Sequence, residues 1–498
     1  MENNQNTNTV PNKKLGKLDS FFGITASGST IGKEIVAGIV TFLAMAYILV
    51  VNPQAILSEN ETAMASSSIF LATALGAVVG TLLMAFLAKL PLAQASGMGL
   101  NYAVGAILGG SLGFAVSYGN AMFMVLISGI IFLLLSVIKI KGVAIRELIF
   151  DGIPECVRGA ISIGIGLFIA FIGMQNAGII VPPLVHVPNL FGEGNCLVVT
   201  GTLVDMVAFN KFADPYVAAG AVVCLVGFIT IAVLEQFKVK GSVIIGIIIA
   251  TLVGIPMGVT EWSGESWAFW ENFEAFFSMD PANGGAFGAA FTEGFNWAEG
   301  VKIMPIIMTI ITFCMIDMFD TMGTVVGCCT PVGLVDEKGK PVRYNQIMMS
   351  DSVATCAGAL FGTSTVTTFV ESASGVAEGG RTGLTALTTA ILFAICIVLT
   401  PLASIIPGVA TAPALIYVGL LMLKNFKAVD MDDLSSALPA FIALIVMPLT
   451  YSISNGIALG AISYVLIQLF TGKYSKKDIV VTVIAILFVL RYVLVPAM

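Results

Sequence analysis

The chain has 498 residues, of which 57% are hydrophobic and only 11% are charged, and its mean hydropathy is +0.97. An average soluble domain has about 25% charged residues, so this composition excludes an ordinary soluble protein and predicts one that crosses a membrane many times. The net charge of −7 is carried largely by the loops and gives no indication of binding to nucleic acid.

The chain begins with a polar, basic segment, residues 1–30, which we predict to be a cytoplasmic tail. No apolar stretch with a small-residue cleavage site follows it, so we expect no cleavable signal peptide, and the first spanning helix is the expected insertion signal. The eight cysteines are scattered along the chain and none forms a CxxC motif. The cysteines therefore predict neither a metal site nor disulfides.

A membrane-spanning helix needs about 20 apolar residues. Segments of this kind begin near residues 34, 67, 97, 120, 156, 217, 241, 303, 346, 364, 384, 409, 434 and 454. Lysine and arginine concentrate in every second loop, as the positive-inside rule requires of fourteen spans with a cytoplasmic N-terminus. The loop at 261–301 is acidic, holds all four tryptophans and is predicted to be extracytoplasmic. A further apolar stretch within residues 473–498 is either a fifteenth span or an interfacial helix.

Fourteen spans divide into two halves of seven, residues 31–260 and 302–472. An odd number per half inverts the second half relative to the first, as in many secondary transporters. The third and tenth segments occupy matching positions, and both are too polar and glycine-rich for lipid-facing helices: PLAQASGMGLNYAVGAILGG at 91–110, and GTSTVTTFVES running on into ASGVAEGGRTG at 362–383. Non-helical backbone at this depth is tolerated only within protein or beside a cavity. We therefore predict that the two segments meet at a polar site, with tight helix packing as the alternative explanation of their glycines.

Only three acidic residues fall well inside apolar segments, where a charge costs about 2.5–3.5 kcal/mol. Glu371 ends the hydroxyl-rich stretch of the tenth segment, and Asp317 and Asp320 lie three residues apart in the eighth, a spacing that places them on one face of a helix. Asn101 in the third segment is their amide counterpart, able to donate and to accept hydrogen bonds. We expect these residues to have functional roles. The alternative for each of them is a purely structural role.

The chain contains no Walker A loop, HExxH or GxSxG motif, and no cluster of histidines or cysteines at ligand spacing. Intramembrane carboxyls with neither a nucleophile nor a metal site indicate solute binding coupled to protons. We therefore predict a transporter, not an enzyme, that needs no cofactor. A channel, which would expose rings of like groups along an open path, and a membrane enzyme are the alternatives from other classes.

Four stretches resemble the adenine, guanine and hypoxanthine permeases of the AzgA-like branch of the nucleobase/ascorbate transporter superfamily. They are AGIVTFLAMAYILVVNP at 37–53, ASGMGLN at 95–101, MIDMFDTMGT at 315–324 and GTSTVTTFVESASGVAEGGRTGLTA at 362–386. The resemblance implies an all-α polytopic membrane protein with fourteen segments in a 7+7 inverted repeat and short strands in segments 3 and 10. It also implies a core domain that slides against a gate domain in an elevator-type mechanism, driven by proton symport.

The resemblance further implies which residues form the site. Glu371 is expected to hydrogen-bond the purine ring, and Phe369 to stack on the base. Ser96 replaces a proline of the family pattern, and Tyr102 to Val104 also depart from it, so the preferred purine is left open. The expected substrate-binding residues are Glu371, Asp320, Asn101, Phe369, Gly99 and Thr368, and the expected proton-coupling residues are Asp320, Glu371 and Asp317.

The implied partners are a purine nucleobase, a proton and the lipid bilayer, with no nucleic acid, and a homodimer is one assembly that the sequence leaves open. The implied location is the bacterial cytoplasmic membrane. A transporter of xanthine or uracil is an alternative, although the chain lacks the Gln-His pair of that branch. An anion carrier of the same fold is a second alternative, which the acidic site residues disfavour.

Overall fold

The computed structural model describes residues 16–57, 64–110, 114, 116–140, 143–152, 154–181, 184–188, 195–199, 205–207, 215–260, 269–279, 281, 284–297, 301–336, 340–399, 406–423, 429–450 and 452–494. Six helical stretches within these ranges, between 20 and 27 residues long, are long and apolar enough to cross a membrane, and further apolar helices of 10–17 residues accompany them. Two of the six, Ile31–Leu57 and Ser66–Ala88, each join two consecutive helical elements. Residues 1–15 of the predicted tail and parts of the predicted loop at 261–301 lie outside the described ranges.

The helices are α1 (Lys17–Phe22), α2 (Ile31–Met45), α3 (Ile48–Leu57), α4 (Ser66–Leu83), α5 (Met98–Leu108), α6 (Tyr118–Val137), α7 (Ile145–Asp151), α8 (Glu155–Asn176), α9 (Pro215–Gln236), α10 (Ser242–Gly254), α11 (Phe269–Phe277), α12 (Ala289–Thr292), α13 (Ile303–Cys329), α14 (Tyr344–Phe361), α15 (Ser372–Ala377), α16 (Gly383–Cys396), α17 (Gly408–Met422), α18 (Leu434–Leu449), α19 (Ile453–Phe470) and α20 (Ile479–Leu494). Most of the apolar helices begin close to a predicted span start.

The strands are short and pair in twos: β1 (Gln94–Ser96) with β8 (Val366–Thr368), β2 (Lys139–Ile140) with β3 (Val143–Ala144), β4 (Ile180–Val181) with β7 (Asp205–Met206), and β5 (Leu184–Pro188) with β6 (Asn195–Val199). All pairings are antiparallel. The pair β1–β8 differs from the others because it lies in the interior, where every one of its six residues is buried.

The long helices pack in two groups. The first group comprises α2 to α6 and α13 to α16 and surrounds the strand pair β1–β8, whereas the second comprises α8 to α10 and α17 to α19. The C-terminal helix α20 packs on α19 of the second group and on α13 of the first. The strand pair therefore belongs entirely to the first group.

Basic residues of several predicted cytoplasmic loops contact other predicted cytoplasmic segments. Lys89 Nζ donates to the carbonyl of Phe21 at 3.0 Å, and Lys340 Nζ forms an ion pair with Glu147 at 2.6 Å. Lys240 forms a second ion pair with Glu378, which links the loop between α9 and α10 to α15. Each contact joins two segments that the charge pattern predicts to be cytoplasmic.

Asn101 fastens the strand pair to the helix that follows β1. Its Oδ1 atom accepts a hydrogen bond from Ser96 Oγ at 2.8 Å and another from Ser364 Oγ. The Ser96 hydroxyl also contacts Thr363 Oγ1 at 2.8 Å, and Thr363 Oγ1 accepts from Asn52 Nδ2 at 2.8 Å. The first hydroxyls of the GTSTVTT stretch therefore bind neighbouring elements of the first group.

We predict that Asn101→Ala destabilises the fold. The substitution leaves the buried Ser96 and Ser364 hydroxyls without their shared acceptor, at a cost of about 1–3 kcal/mol for each unsatisfied group. The matched control is Asn455→Ala, because Asn455 Oδ1 accepts from the more exposed Tyr492 hydroxyl. Thermal unfolding in detergent should give a clearly lower unfolding temperature for Asn101→Ala than for Asn455→Ala. Equal unfolding temperatures, with a changed ligand preference in Asn101→Ala, would instead make Asn101 a binding residue.

Candidate functional site

A cavity of about 60 Å³ lies beside the strand pair, between the two groups of helices. The first group of helices contributes the polar residues of the cavity wall. The second group contributes only apolar side chains to it. The second group's lining residues are Ile165, Ile169, Val418 and Met422. A ligand in this cavity would therefore find its hydrogen-bonding partners on one group and an apolar surface on the other, the usual composition of a small-molecule site.

Glu371 lies on the cavity wall between strand β8 and helix α15. Only 5% of the residue is exposed. Its Oε1 atom accepts a hydrogen bond of 2.5 Å from the hydroxyl of Tyr47. Tyr47 lies at the break between α2 and α3 and lines the same cavity. The hydrogen bond from Tyr47 thus holds the Glu371 carboxyl group at the cavity wall.

Asp320 reaches the cavity from the middle of α13. Gly323, Thr324 and Gly327 line the cavity with it, and positions i, i+3, i+4 and i+7 share one face of an α-helix. No atom lies within 4 Å of where a Cβ would stand on either glycine. The two glycines therefore leave open space next to the Asp320 carboxyl.

Gly99, Thr368 and Phe369 line the cavity as well. A Cβ on Gly99 would lie 3.1 Å from Ile453 Cδ1 and 3.2 Å from Ile165 Cγ2, both in the second group. The glycine therefore lets the two groups approach closely at the start of α5. Phe369 follows β8 directly, and its backbone N–H donates to the carbonyl of Ala93 at 3.0 Å.

The structure does not bring two of the expected site residues, Asn101 and Asp317, to this cavity. Both are fully buried, and neither is part of the cavity wall. Asn101 is engaged by serine hydroxyls, as described above. Asp317 Oδ2 accepts from Thr355 Oγ1 of α14 at 2.8 Å, so its carboxyl lies on the α14 side of α13, away from the cavity.

The expectation that only three acidic residues lie well inside the apolar segments is wrong. Asp351 of α14 is fully buried, and its Oδ1 atom accepts from Gln94 Nε2 at 2.8 Å and from Thr368 Oγ1 at 3.4 Å. It lies in a stretch of low hydropathy, YNQIMMSDS, which resembles a polar helix end in the sequence. Within the described part of the chain, Asp317 Oδ1 and Asp351 Oδ2 meet no hydrogen-bond partner at bonding distance. The carboxyls of Asp317 and Asp351 form a buried acidic layer behind the strand pair.

Glu34, near the start of α2, is also fully buried. Its carboxylate accepts from the backbone N–H groups of Arg381 and Thr382 at 3.0 and 3.2 Å, just before α16 begins. A negative charge is stabilised at a helix N-terminus by the unpaired N–H groups and the helix dipole. This explains why the first group tolerates a buried glutamate at that position.

A second cavity, of about 270 Å³, shares Tyr47, Glu371 and Val418 with the first. It extends to Lys238 and Lys240, in the loop between α9 and α10. This loop is one of the basic loops that the charge pattern predicts to be cytoplasmic. The second cavity therefore borders the Glu371 site and also reaches this predicted cytoplasmic loop.

Tyr47 is a site residue that the sequence analysis does not identify. It stands in the stretch AGIVTFLAMAYILVVNP, whose uniform hydrophobicity predicts one continuous helix. The presence of a tyrosine in this apolar segment could have indicated a polar neighbour, because a buried hydroxyl needs a hydrogen-bond partner. The break in the helix at Ala46 and Tyr47, which no proline or glycine marks, is not visible in the sequence.

Comparison with known proteins identifies a family of permeases. Residues 32–459 match the model of a permease family. The chain is 35% identical over 476 residues to a putative permease of Methanocaldococcus jannaschii, covering 96% of this chain and 98% of that protein. It is 34% identical to the adenine permease AdeQ of Escherichia coli, covering 99% and 100%, and 35% identical to the guanine/hypoxanthine permease PbuO of Bacillus subtilis, covering 94% and 99%.

Solved structures of transporters share the fold at low sequence identity. The transmembrane domain of the cyanobacterial bicarbonate transporter BicA superposes with a TM-score of 0.58 at 13% identity, covering 86% of this chain and 97% of that chain. The murine anion transporter Slc26a9 in its inward-facing state gives a TM-score of 0.57 at 13% identity, covering 94% and 74%. The family match and the full-length relatives together show that the chain belongs to this permease family and is a multi-pass transport protein of the plasma membrane, not an enzyme.

Proposed function

We propose that the protein imports purine nucleobases, namely adenine, guanine or hypoxanthine, by proton symport. The observation that carries the proposal is the buried Glu371 carboxyl, held by Tyr47 on the wall of a cavity next to the strand pair. The relatives support the choice of substrate, because those with assigned substrates are named as adenine or guanine/hypoxanthine permeases.

A purine fits the chemistry of this wall. Its ring N–H and exocyclic amino groups are donors, and a carboxylate in a site shielded from water is a strong acceptor for them. Phe369 offers an aromatic face for stacking on the base, and the backbone next to Gly99 can approach a ligand closely. The apolar side chains of the second group would cover the rest of the planar ring.

Asp320 is our candidate for the proton-linked group. It is only partly buried and faces the cavity, so it can exchange protons with water there. Moving an ionised carboxyl past an apolar surface is costly, and the loaded carrier should therefore move when this carboxyl is neutral. Asp317 and Asp351 lie behind the strands and would have to exchange protons through the strand pair.

The distribution of polar groups supports an elevator-type movement. The polar lining of the Glu371 cavity belongs to the first group, so this group could carry the ligand past the apolar wall of the second. In this proposal the first group is the core domain and the second the gate domain of a fourteen-segment 7+7 inverted repeat. The Lys240–Glu378 ion pair joins the two groups and would break during the movement.

Other solutes are less well matched. Xanthine and uracil are nucleobases that a carboxylate could also bind, so they are competitors in the test below. Anions are disfavoured because Glu371 and Asp320, the charged residues of the cavity wall, are both acidic and would repel them. The anion transporters among the solved structures share the fold at 13% identity, which carries no substrate information.

We predict that Glu371→Gln weakens binding of labelled hypoxanthine to the purified protein about ten- to a hundredfold. A charge-assisted hydrogen bond contributes about 1.5–3 kcal/mol, and every 1.4 kcal/mol is a factor of about ten in affinity. Adenine and guanine should compete with the label better than xanthine and uracil do.

The control is Glu293→Gln, because Glu293 binds the backbone of Gly119 outside the cavity and should leave affinity unchanged. Absence of binding to the wild type would contradict the proposed function. Equal affinity of wild type and Glu371→Gln would remove Glu371 from the binding residues.

We predict that Asp320→Asn uncouples transport from the proton gradient. The amide mimics a permanently neutral carboxyl, so uptake driven by a pH gradient should fall, whereas exchange of purine between two pools should survive better. Both assays are run in proteoliposomes, with Asp317→Asn as the comparison variant because Asp317 does not reach the cavity. Equal loss of both activities would make Asp320 a ligand or structural residue, and intact gradient-driven uptake would move the coupling role to Glu371 or Asp317.

A further inference from the structure

Tyr47 holds an unusual position for an aromatic residue of a long apolar segment. It lies where α2 ends and α3 has not yet begun, and only 2% of the residue is exposed. Its backbone carbonyl accepts from the N–H groups of Val50 and Val51 at 3.1 and 3.0 Å, which starts α3. The tyrosine side chain reaches Glu371, directly before the start of α15.

The Tyr47 hydroxyl donates a hydrogen bond to the Oε1 atom of Glu371 at 2.5 Å. A phenol that donates to a carboxylate makes a short, charge-assisted hydrogen bond, which is stronger than one between neutral groups. Because both residues are almost fully buried, water competes little for either of them. The bond therefore fixes the direction in which the carboxyl group points.

The ring of Tyr47 also lines both cavities, as Glu371 does. The Tyr47–Glu371 pair thus forms part of the boundary between the small site cavity and the larger cavity that leads to Lys240. With Oε1 engaged by the phenol, the Oε2 atom is the oxygen most available to a donor on a ligand. A carboxyl held in this way needs no further ordering when a ligand arrives, which reduces the entropic cost of binding.

We propose that Tyr47 is a positioning residue for nucleobase binding, acting through Glu371. The inference rests on the proposed function and adds a residue to its site. Tyr47 orients the Glu371 carboxylate so that its free oxygen receives an N–H group of the base. The hydroxyl itself does not need to touch the ligand.

The test compares Tyr47→Phe with Tyr118→Phe. Both substitutions remove one hydroxyl from a buried tyrosine, but the Tyr118 hydroxyl donates to the carbonyl of Gly362 and does not line the cavity. Binding of labelled hypoxanthine to the purified protein should weaken about tenfold in Tyr47→Phe and stay unchanged in Tyr118→Phe. In counterflow, KM should rise in Tyr47→Phe while the maximal rate per reconstituted carrier is kept.

A double-mutant cycle with Glu371→Gln separates positioning from general damage. If Tyr47 acts through Glu371, adding Tyr47→Phe to Glu371→Gln should cost less than a twofold further loss of affinity. Should Tyr47→Phe fail to reach the membrane, Tyr47→His keeps a ring N–H donor and takes its place in the same cycle.

Three results would overturn the inference while leaving the proposed function intact: wild-type affinity in Tyr47→Phe, fully additive losses in the double mutant, or a lower maximal rate at unchanged KM. Failure of the wild type to bind any purine would instead contradict the proposed function.

Discussion

Two strands of three residues each lie within a bundle of apolar helices, where no bulk water can satisfy their backbone groups. Each strand therefore depends on the other, and the antiparallel pairing of Gln94 with Thr368 and Ser96 with Val366 meets that need. Helix α5 begins two residues after β1, and α15 begins four residues after β8. The residues at these two junctions, including Gly99, Phe369 and Glu371, are consequently delivered to one cavity.

The strand pair also separates two sets of carboxyl groups. Glu371 and Asp320 face the cavity, whereas Asp317 and Asp351 lie behind the strands among Gln94, Thr355 and Thr368. Burying a carboxylate without a cation is expensive, so the rear layer gains from every hydroxyl and amide donor it receives. Glu371 and Asp320, on the cavity side of the strands, can instead form hydrogen bonds with a ligand or with water. The same residue type thus supports the scaffold on one side of the strands and ligand chemistry on the other.

Much of this organisation could be predicted from the sequence. Hydropathy located the apolar helices. The departure of the third and tenth segments from helical composition predicted that they would meet, and Glu371, Asp320, Gly99, Thr368 and Phe369 do line one cavity. These predictions worked because they depend on strong free-energy terms, the cost of burying charge and of leaving backbone groups unpaired.

What could not be predicted depends on side-chain direction. The hydroxyls of Thr363 and Ser364 have the same chemistry whether they face a ligand or a neighbouring helix, so the sequence could not show that they bind Asn52 and Asn101 instead. Asp351 was missed because its polar neighbours resemble a helix end. Tyr47 was missed because a break without proline or glycine leaves no mark in the hydrophobic pattern.

The account depends most on the claim that the cavity beside the strand pair is where the nucleobase binds. Gly327 lines this cavity, and Gly32 of α2 does not; both are exposed, with open space where a Cβ would stand. In a background with all eight native cysteines replaced by alanine, Gly327→Cys and Gly32→Cys can be labelled with a maleimide in the purified protein, with and without hypoxanthine. Our account predicts that hypoxanthine slows labelling of Gly327→Cys and leaves Gly32→Cys unaffected. Unprotected labelling of Gly327→Cys at saturating hypoxanthine would contradict it.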